Sequence, residues 1–150
     1  MVRLCEIFKD PVTYAGPIQV AGWVRTVRDS KAVGFIELAD GSSFKNVQVV
    51  YEQETIDPQV KKQLCTGYAI SVTGTLELTP EAKQPFEIKA QAITIEGACH
   101  SDYPLQKKRH TLEYMRSIQH LRPRANIFQA TFRVRSVVAQ AIHRLSLIHI

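Results

Sequence analysis

The sequence predicts a mainly β fold: a five-stranded barrel with one short helix, followed by a basic connector and the first helix of a further region. Three observations carry that expectation. Five stretches rich in Val, Ile, Thr, Phe or Tyr alternate apolar and polar residues over part of their length. A proline-initiated helical segment falls between the third and fourth of them. Beyond residue 97 the alternation stops, and from Asn126 apolar residues recur at three- and four-residue steps.

The strands in order are PIQVAGWVRTV (17–27), GFIELAD (34–40), NVQVVYE (46–52), YAISVTGTLEL (68–78) and FEIKAQAITIEG (86–97). Turn chemistry separates them: DSKAVG, then DGSSFK with its Asp-Gly pair, then TPEAKQP. ETIDPQVKKQLCTG holds the short helix, started after Asp57-Pro58 and stopped by Gly67. Five strands with a helix between the third and fourth is the element order of an OB-fold barrel. A five-stranded sandwich or SH3-like barrel is the alternative, and the inserted helix favours the OB-fold. From Gly97 to Arg124 the chain reads as a charged connector with a short helix around TLEYMRSIQ. Asn126 then serves as N-cap of an amphipathic helix whose apolar stripe includes Ile127, Phe128, Val134, Val138, Ile142 and Leu145. The expected division is therefore 1–97 barrel, 98–124 hinge and 125–150 the start of a further domain.

With 45% hydrophobic and 22% charged residues the composition is that of an ordinary globular chain. The first residues lack the apolar core of an export signal, and nowhere do apolar residues run long enough to span a membrane. Three widely separated cysteines, Cys5, Cys65 and Cys99, read as reduced thiols of a cytoplasmic protein. The net charge of +5 is uneven: residues 1–100 hold 10 Lys/Arg against 12 Asp/Glu, and residues 101–150 hold 9 against 2. The basic signature of the second part is Lys107, Lys108, Arg109, Arg122 and Arg124, in KKRH and HLRPR. Such a segment suits a nucleic-acid backbone, while a merely solubilising segment is the plainer explanation.

Alternation assigns faces. Taking Ile36, Leu38, Val47, Val49 and Ile88 as the barrel filling leaves Phe35, Gln48 and Glu87 outside. An outward Phe among polar neighbours is suited to stacking an unpaired base. Gln48 can donate and accept at a base edge, Glu87 can accept from an amine or imino group, and Arg28 and Arg25 can hold phosphates or stack beside the base. The plainer alternative for Phe35 is a lone exposed apolar residue or a bulge-shifted core residue. Asp29 reads as a turn residue or an arginine partner. Cys99-His100 with His110 and His120 lacks any Cys-x-x-Cys and predicts no metal site. No phosphate loop, nucleophile arrangement or carboxylate pair is visible, so no catalytic residue is expected in this stretch.

GWVRTVRDSKAVGFIELADGSSFKNVQVVYE, followed by ISVTGTL, FEIKA and DYPLQKKRHTLEYMRSIQHLRPRANIFQATFRVRS, resembles the bacterial asparaginyl-tRNA synthetases, class II enzymes, from about residue 15 to residue 144. The related aspartyl and lysyl enzymes share the barrel but resemble this chain less at RDSK and DGSSFKNVQ. The resemblance implies a barrel that binds the tRNA anticodon, a hinge and an α+β catalytic domain. It implies Phe35 stacked on the middle anticodon base, with Arg28, Gln48 and Glu87 completing the site. It also implies a homodimer built on the helix from Asn126. The family's reaction uses ATP and Mg2+ to adenylate asparagine and esterify it to tRNA, but the corresponding motifs lie downstream. This stretch is expected to be an N-terminal fragment with no cofactor of its own and no activity alone. A free-standing OB-fold protein that binds single-stranded nucleic acid is the reading from another class. The last residues, LSLIHI (145–150), resemble a translated transposon-end sequence used in library preparation and are expected to be non-native.

Overall fold

The computed structural model describes residues 1–150 apart from Lys31, Lys83, Ser101, His149 and Ile150. Lys31 of the charged RDSK stretch, and the last two residues of the 145–150 segment expected to be foreign, therefore lie outside the described residues. The chain divides into two compact units, 1–107 and 108–150. The stretch expected as a hinge is shared between them, because Tyr103 is buried against Gly67 in the first unit.

In the first unit α1 (Leu4–Lys9) precedes β1 (Gly16–Asp29), β2 (Val33–Ala39), β3 (Val47–Glu52), α2 (Pro58–Gln63), β4 (Ala69–Leu78) and β5 (Phe86–Gly97). The strands close into a barrel in the order β1-β2-β3-β5-β4. All neighbours run antiparallel except β3 and β5, which meet in parallel through Val49↔Ile88 and Val50↔Lys89. The long β1 closes the ring by pairing with β4 along its first half and with β2 along its second. This is the expected OB-fold, with the helix between β3 and β4. Asp57 caps that helix by accepting from the Gln59 N–H at 2.8 Å, and Pro58 occupies its first turn.

The core lies where alternation put it. Ile36, Leu38, Val47, Val49 and Ile88 are all fully buried, joined by Val20, Ile70, Val72 and Phe86 from the other strands. Sequence reasoning missed α1, whose Leu4 and Ile7 are buried in the same cluster. No side chain of its own caps that helix. Its first N–H groups are met from the turn after β2: Leu4 N–H donates to Asp40 at 2.8 Å and Cys5 N–H to the Ser42 hydroxyl at 2.9 Å.

The second unit holds α3 (Leu112–Ser117), a 3-10 turn at Arg122–Arg124, and α4 (Asn126–Ile148). Thr111 caps α3 by accepting from the Tyr114 N–H at 3.2 Å. Asn126 is the first helical residue of α4 rather than its cap: the Ala125 carbonyl accepts from the Gln129 N–H at 2.9 Å. Within this unit Ile127, Val134, Val138, Ile142 and Leu145 of the α4 stripe are exposed.

A side-chain hydrogen bond joins the end of β1 to β3. Tyr51 is buried in the core and its hydroxyl donates to the Asp29 carboxylate at the end of β1. A β-carbon on Gly34 would lie 2.1 Å from the Tyr51 ring, so only glycine lets the ring pass beneath β2. Burial first, then the hydrogen bond and negative charge of Asp29, push the Tyr51 pKa above its ordinary value.

Two predictions follow from these ties. Asp40→Ala removes the tertiary cap of α1 and should lower unfolding stability in urea by about 1–2 kcal/mol. A phenol whose folded pKa is raised stabilises the fold fully below its unfolded pKa of about 10 and loses that contribution as pH climbs past it toward the folded value. Urea midpoints measured above pH 10 should therefore fall with pH, and fall less steeply in Tyr51→Phe.

Candidate nucleic-acid interface

Along β1 the buried residues are Ile18, Val20, Val24 and Thr26, all even-numbered, so Arg28 should continue the inward series. It does not: Arg28 is exposed, and the buried Thr26 turns its hydroxyl to Glu37. Val24 pairs with Leu38 and Thr26 with Glu37, and Arg25 is left as the extra residue of a β-bulge. After it Val27 pairs with the buried Ile36, and Arg28 pairs with Phe35. The bulge exchanges the two faces of the strand, moving Arg28 outward and beside Phe35.

Phe35 is half-buried, and across from it on β3 stands Val50. Arg28, Asp29, Ser30, Phe35 and Gln48 line one open recess of about 320 Å³. Three of the five expected barrel residues, Arg28, Phe35 and Gln48, thus share a single depression. Glu87 joins through a contact: Gln48 Nε2 donates to Glu87 Oε1 at 2.7 Å. Arg25 does not line the recess.

The remaining carboxylates are occupied. Glu37, paired with Gln48 in the ladder, accepts from Thr26 Oγ1 at 3.1 Å and from Asn46 Nδ2 at 2.7 Å. Asp29 accepts from Tyr51 and, at 3.3 Å, from Gln53 Nε2, two neutral donors, where the sequence offered a turn residue or an arginine partner. On the same sheet a second recess of about 430 Å³ is lined by Val33, Val50, Thr75, Glu77, Lys89 and Gln91 among others, with Lys89 and Glu77 paired at 2.7 Å. Sequence reasoning missed this recess, because it arises where β3, β4 and β5 come together.

The connector cations stand differently. Lys107, Lys108 and Arg109 are exposed. Arg122 lies over the Phe128 and Phe132 rings, 5.2 and 5.7 Å from their centroids, and so shields α4 aromatics within its own unit. Arg124 sits at the end of the 3-10 turn. Among the described residues no group of three or more His, Cys, Asp or Glu side chains is placed to hold a metal ion, and no helix is long and apolar enough to cross a membrane.

A closed five-stranded barrel with a half-buried aromatic ring, an arginine and an amide around one outer recess is an arrangement suited to nucleic acid. Residues 18–96 match the family described as OB-fold nucleic acid binding domain, and the chain belongs to that family. It is 59% identical over 93% of its length to an asparagine–tRNA ligase of Acetivibrio thermocellus, and 57% identical over 93% to one of Bacillus cereus. It spans about 30% of the length of those relatives. A solved asparaginyl-tRNA synthetase from Pyrococcus horikoshii shares the fold, with a TM-score of 0.77 at 20% identity over 90% of this chain and 33% of the other.

The bulge makes a sharp prediction. Deleting Arg25 removes the extra residue while keeping Thr26 opposite Glu37, Val27 opposite Ile36 and Arg28 opposite Phe35, so the shortened chain should keep its fold, with a loss in urea denaturation of no more than about 1–2 kcal/mol from the changed local twist. Arg25→Ala keeps the residue count and should cost far less.

Proposed function

We propose that this chain is the anticodon-reading N-terminal part of an asparagine–tRNA ligase. The single observation that carries the reading is the joint placement of Arg28, Phe35 and Gln48 around one recess on the outer face of the barrel. The identity of 54% to 59% to asparagine–tRNA ligases over nearly the whole chain supports the choice of amino acid over the aspartyl and lysyl alternatives.

In this reading an anticodon base lies on Phe35, its edge toward Gln48, and Arg28 holds the neighbouring phosphate or carbonyl. Stacking on an aromatic ring contributes about 1–3 kcal/mol per base. Arg25, at the bulge three residues before Arg28, and Lys107, Lys108, Arg109, Arg122 and Arg124 add attraction to the tRNA backbone, which weakens as salt rises. The parent enzyme works in the cytoplasm, where it activates asparagine with ATP and Mg2+ and transfers it to tRNA. The residues for that chemistry belong to the rest of the enzyme, and this chain performs none of its steps. The exposed apolar stripe of α4, Ile127 through Leu145, is the seam of a homodimer in the whole protein.

The test is binding of the 150-residue chain to anticodon stem-loops bearing GUU, GUC and UUU at one fixed salt concentration. A preference for GUU of about tenfold, or 1.4 kcal/mol, is expected. Phe35→Ala should lose about 1–3 kcal/mol of that binding with little change in unfolding stability. Equal binding to all three, falling steeply with salt, would assign the chain instead to general single-stranded nucleic-acid binding.

A further inference from the structure

Where β5 leaves the barrel, the chain passes the turn that leads into β4. The ladder ends there with Ala69 opposite Gly97, and two further steps along each strand bring Gly67 beside Cys99. A β-carbon on Gly67 would lie 2.9 Å from the Cys99 sulfur and 2.7 Å from the Tyr103 ring. The turn is held from two sides. Tyr68 N–H donates to the Cys65 carbonyl at 3.3 Å, and Gly67, at φ 92°, donates its N–H to the Val24 carbonyl of β1 at 2.8 Å. Cys65 opens this turn, and Gly67 two residues on has no side chain to part it from Cys99. Cys65, Cys99 and His100 line one recess of about 440 Å³. Two cysteines far apart in the sequence are thus made neighbours by the β4–β5 ladder.

We propose that Cys65 and Cys99 are a redox-responsive dithiol, which a small-molecule disulfide of the glutathione type converts into an internal bond. That bond fastens the first residues of the connector to the barrel, and it does not rest on the anticodon reading. Exposure assigns the order of events. Cys65, the exposed thiol, is the one a disulfide in solution reaches, and the half-buried Cys99 resolves. The Cys65 thiolate attacks one sulfur of the small disulfide, and one small thiol leaves with the proton that Cys65 gave up. The Cys99 thiolate then attacks the Cys65 sulfur of this mixed disulfide, and the second small thiol leaves in the same way. Two protein thiols are oxidised and one small disulfide is reduced to two thiols, with no other reactant. Diagonal neighbours across an antiparallel pair have Cα atoms about 7–8 Å apart, just beyond the usual span of a disulfide. Closing the bond therefore needs a small shift of Cys99, which lies past the last ladder pair and is not held by it. A bond reached by such a shift is exchangeable rather than permanent.

The experiment incubates the reduced 150-residue chain with glutathione disulfide under native conditions, quenches with acid, and reads intact mass and a peptide map. The expected product is a chain lighter by two hydrogens, without bound glutathione, whose map joins the peptides of Cys65 and Cys99. Dithiothreitol should return the reduced mass. Cys99→Ser should stop at the mixed disulfide on Cys65, and Cys65→Ser should form no bridge. Cys5→Ser, which alters the remaining cysteine on α1, should bridge as the wild type does. The wild-type map decides the matter even where a variant folds poorly. Glutathione retained on Cys65 in the wild type, a bridge that runs to Cys5, or a chain left unmodified at Cys65 each overturns the proposal.

Discussion

In a closed barrel a strand has one face in the core and one in solvent, and β1 has to serve both assignments in turn. Its first half pairs with β4 and its second with β2, so it is the strand that closes the ring. The change of face at Arg25 comes just after that handover. Upstream, even-numbered residues fill the core; downstream, Val27 takes over the inward position opposite Ile36. Were Arg25 paired in regular alternation instead of bulged, the Arg28 guanidinium and the Val27 side chain would exchange environments, at a cost of several kcal/mol (roughly that of any unpaired buried charge). The bulge is thus a condition for both a dry core and an arginine beside Phe35. The recess, its amide and its carboxylate are arranged around that outcome.

Next to the recess, the turn from β1 to β2 is held by a contact from below. Tyr51 reaches up from the core to Asp29, and the absence of a side chain at Gly34 gives its ring room. Because Asp29 and Ser30 line the recess, this contact fixes part of its wall before any ligand arrives. Pre-arranged walls lower the ordering cost of binding, which otherwise subtracts directly from affinity. Glu87 does the same for Gln48 on the opposite wall.

The electrostatics divide the labour between the two parts of the chain. Residues 1–100, with 10 basic against 12 acidic side chains, cannot attract a polyanion by net charge. In the proposed reading, recognition on the barrel falls to stacking and to hydrogen bonds that depend little on salt, with Arg28 as the local cation. The same reading gives the 9 basic against 2 acidic residues after residue 100 a longer-ranged and salt-sensitive pull. Arg122 tempers that picture, since its guanidinium lies over two aromatic rings of α4 and serves packing as well as charge.

The strands, the helix between β3 and β4, the filling of the barrel and the outward placement of Phe35, Gln48 and Glu87 were all legible from residue order. Each depends on a period of two or on a local cap, and such patterns are complete within a few neighbouring residues. Residue order settles which faces each strand could bury and where along the chain the cations fall. Tertiary structure alone decided the features whose partners are distant in the chain. The helix α1 is capped by Asp40 and Ser42, 36 and 37 residues away, so no local signal marks it. The bulge at Arg25 reflects the register of β1 against β2, and Asp29 accepts from Tyr51, 22 residues further along the chain. The orientation of Gln48 depends on a carboxylate 39 residues later, brought alongside only when β3 and β5 meet in parallel. A hydrogen bond between groups that far apart is set by barrel closure, and closure is a property of all five strands together.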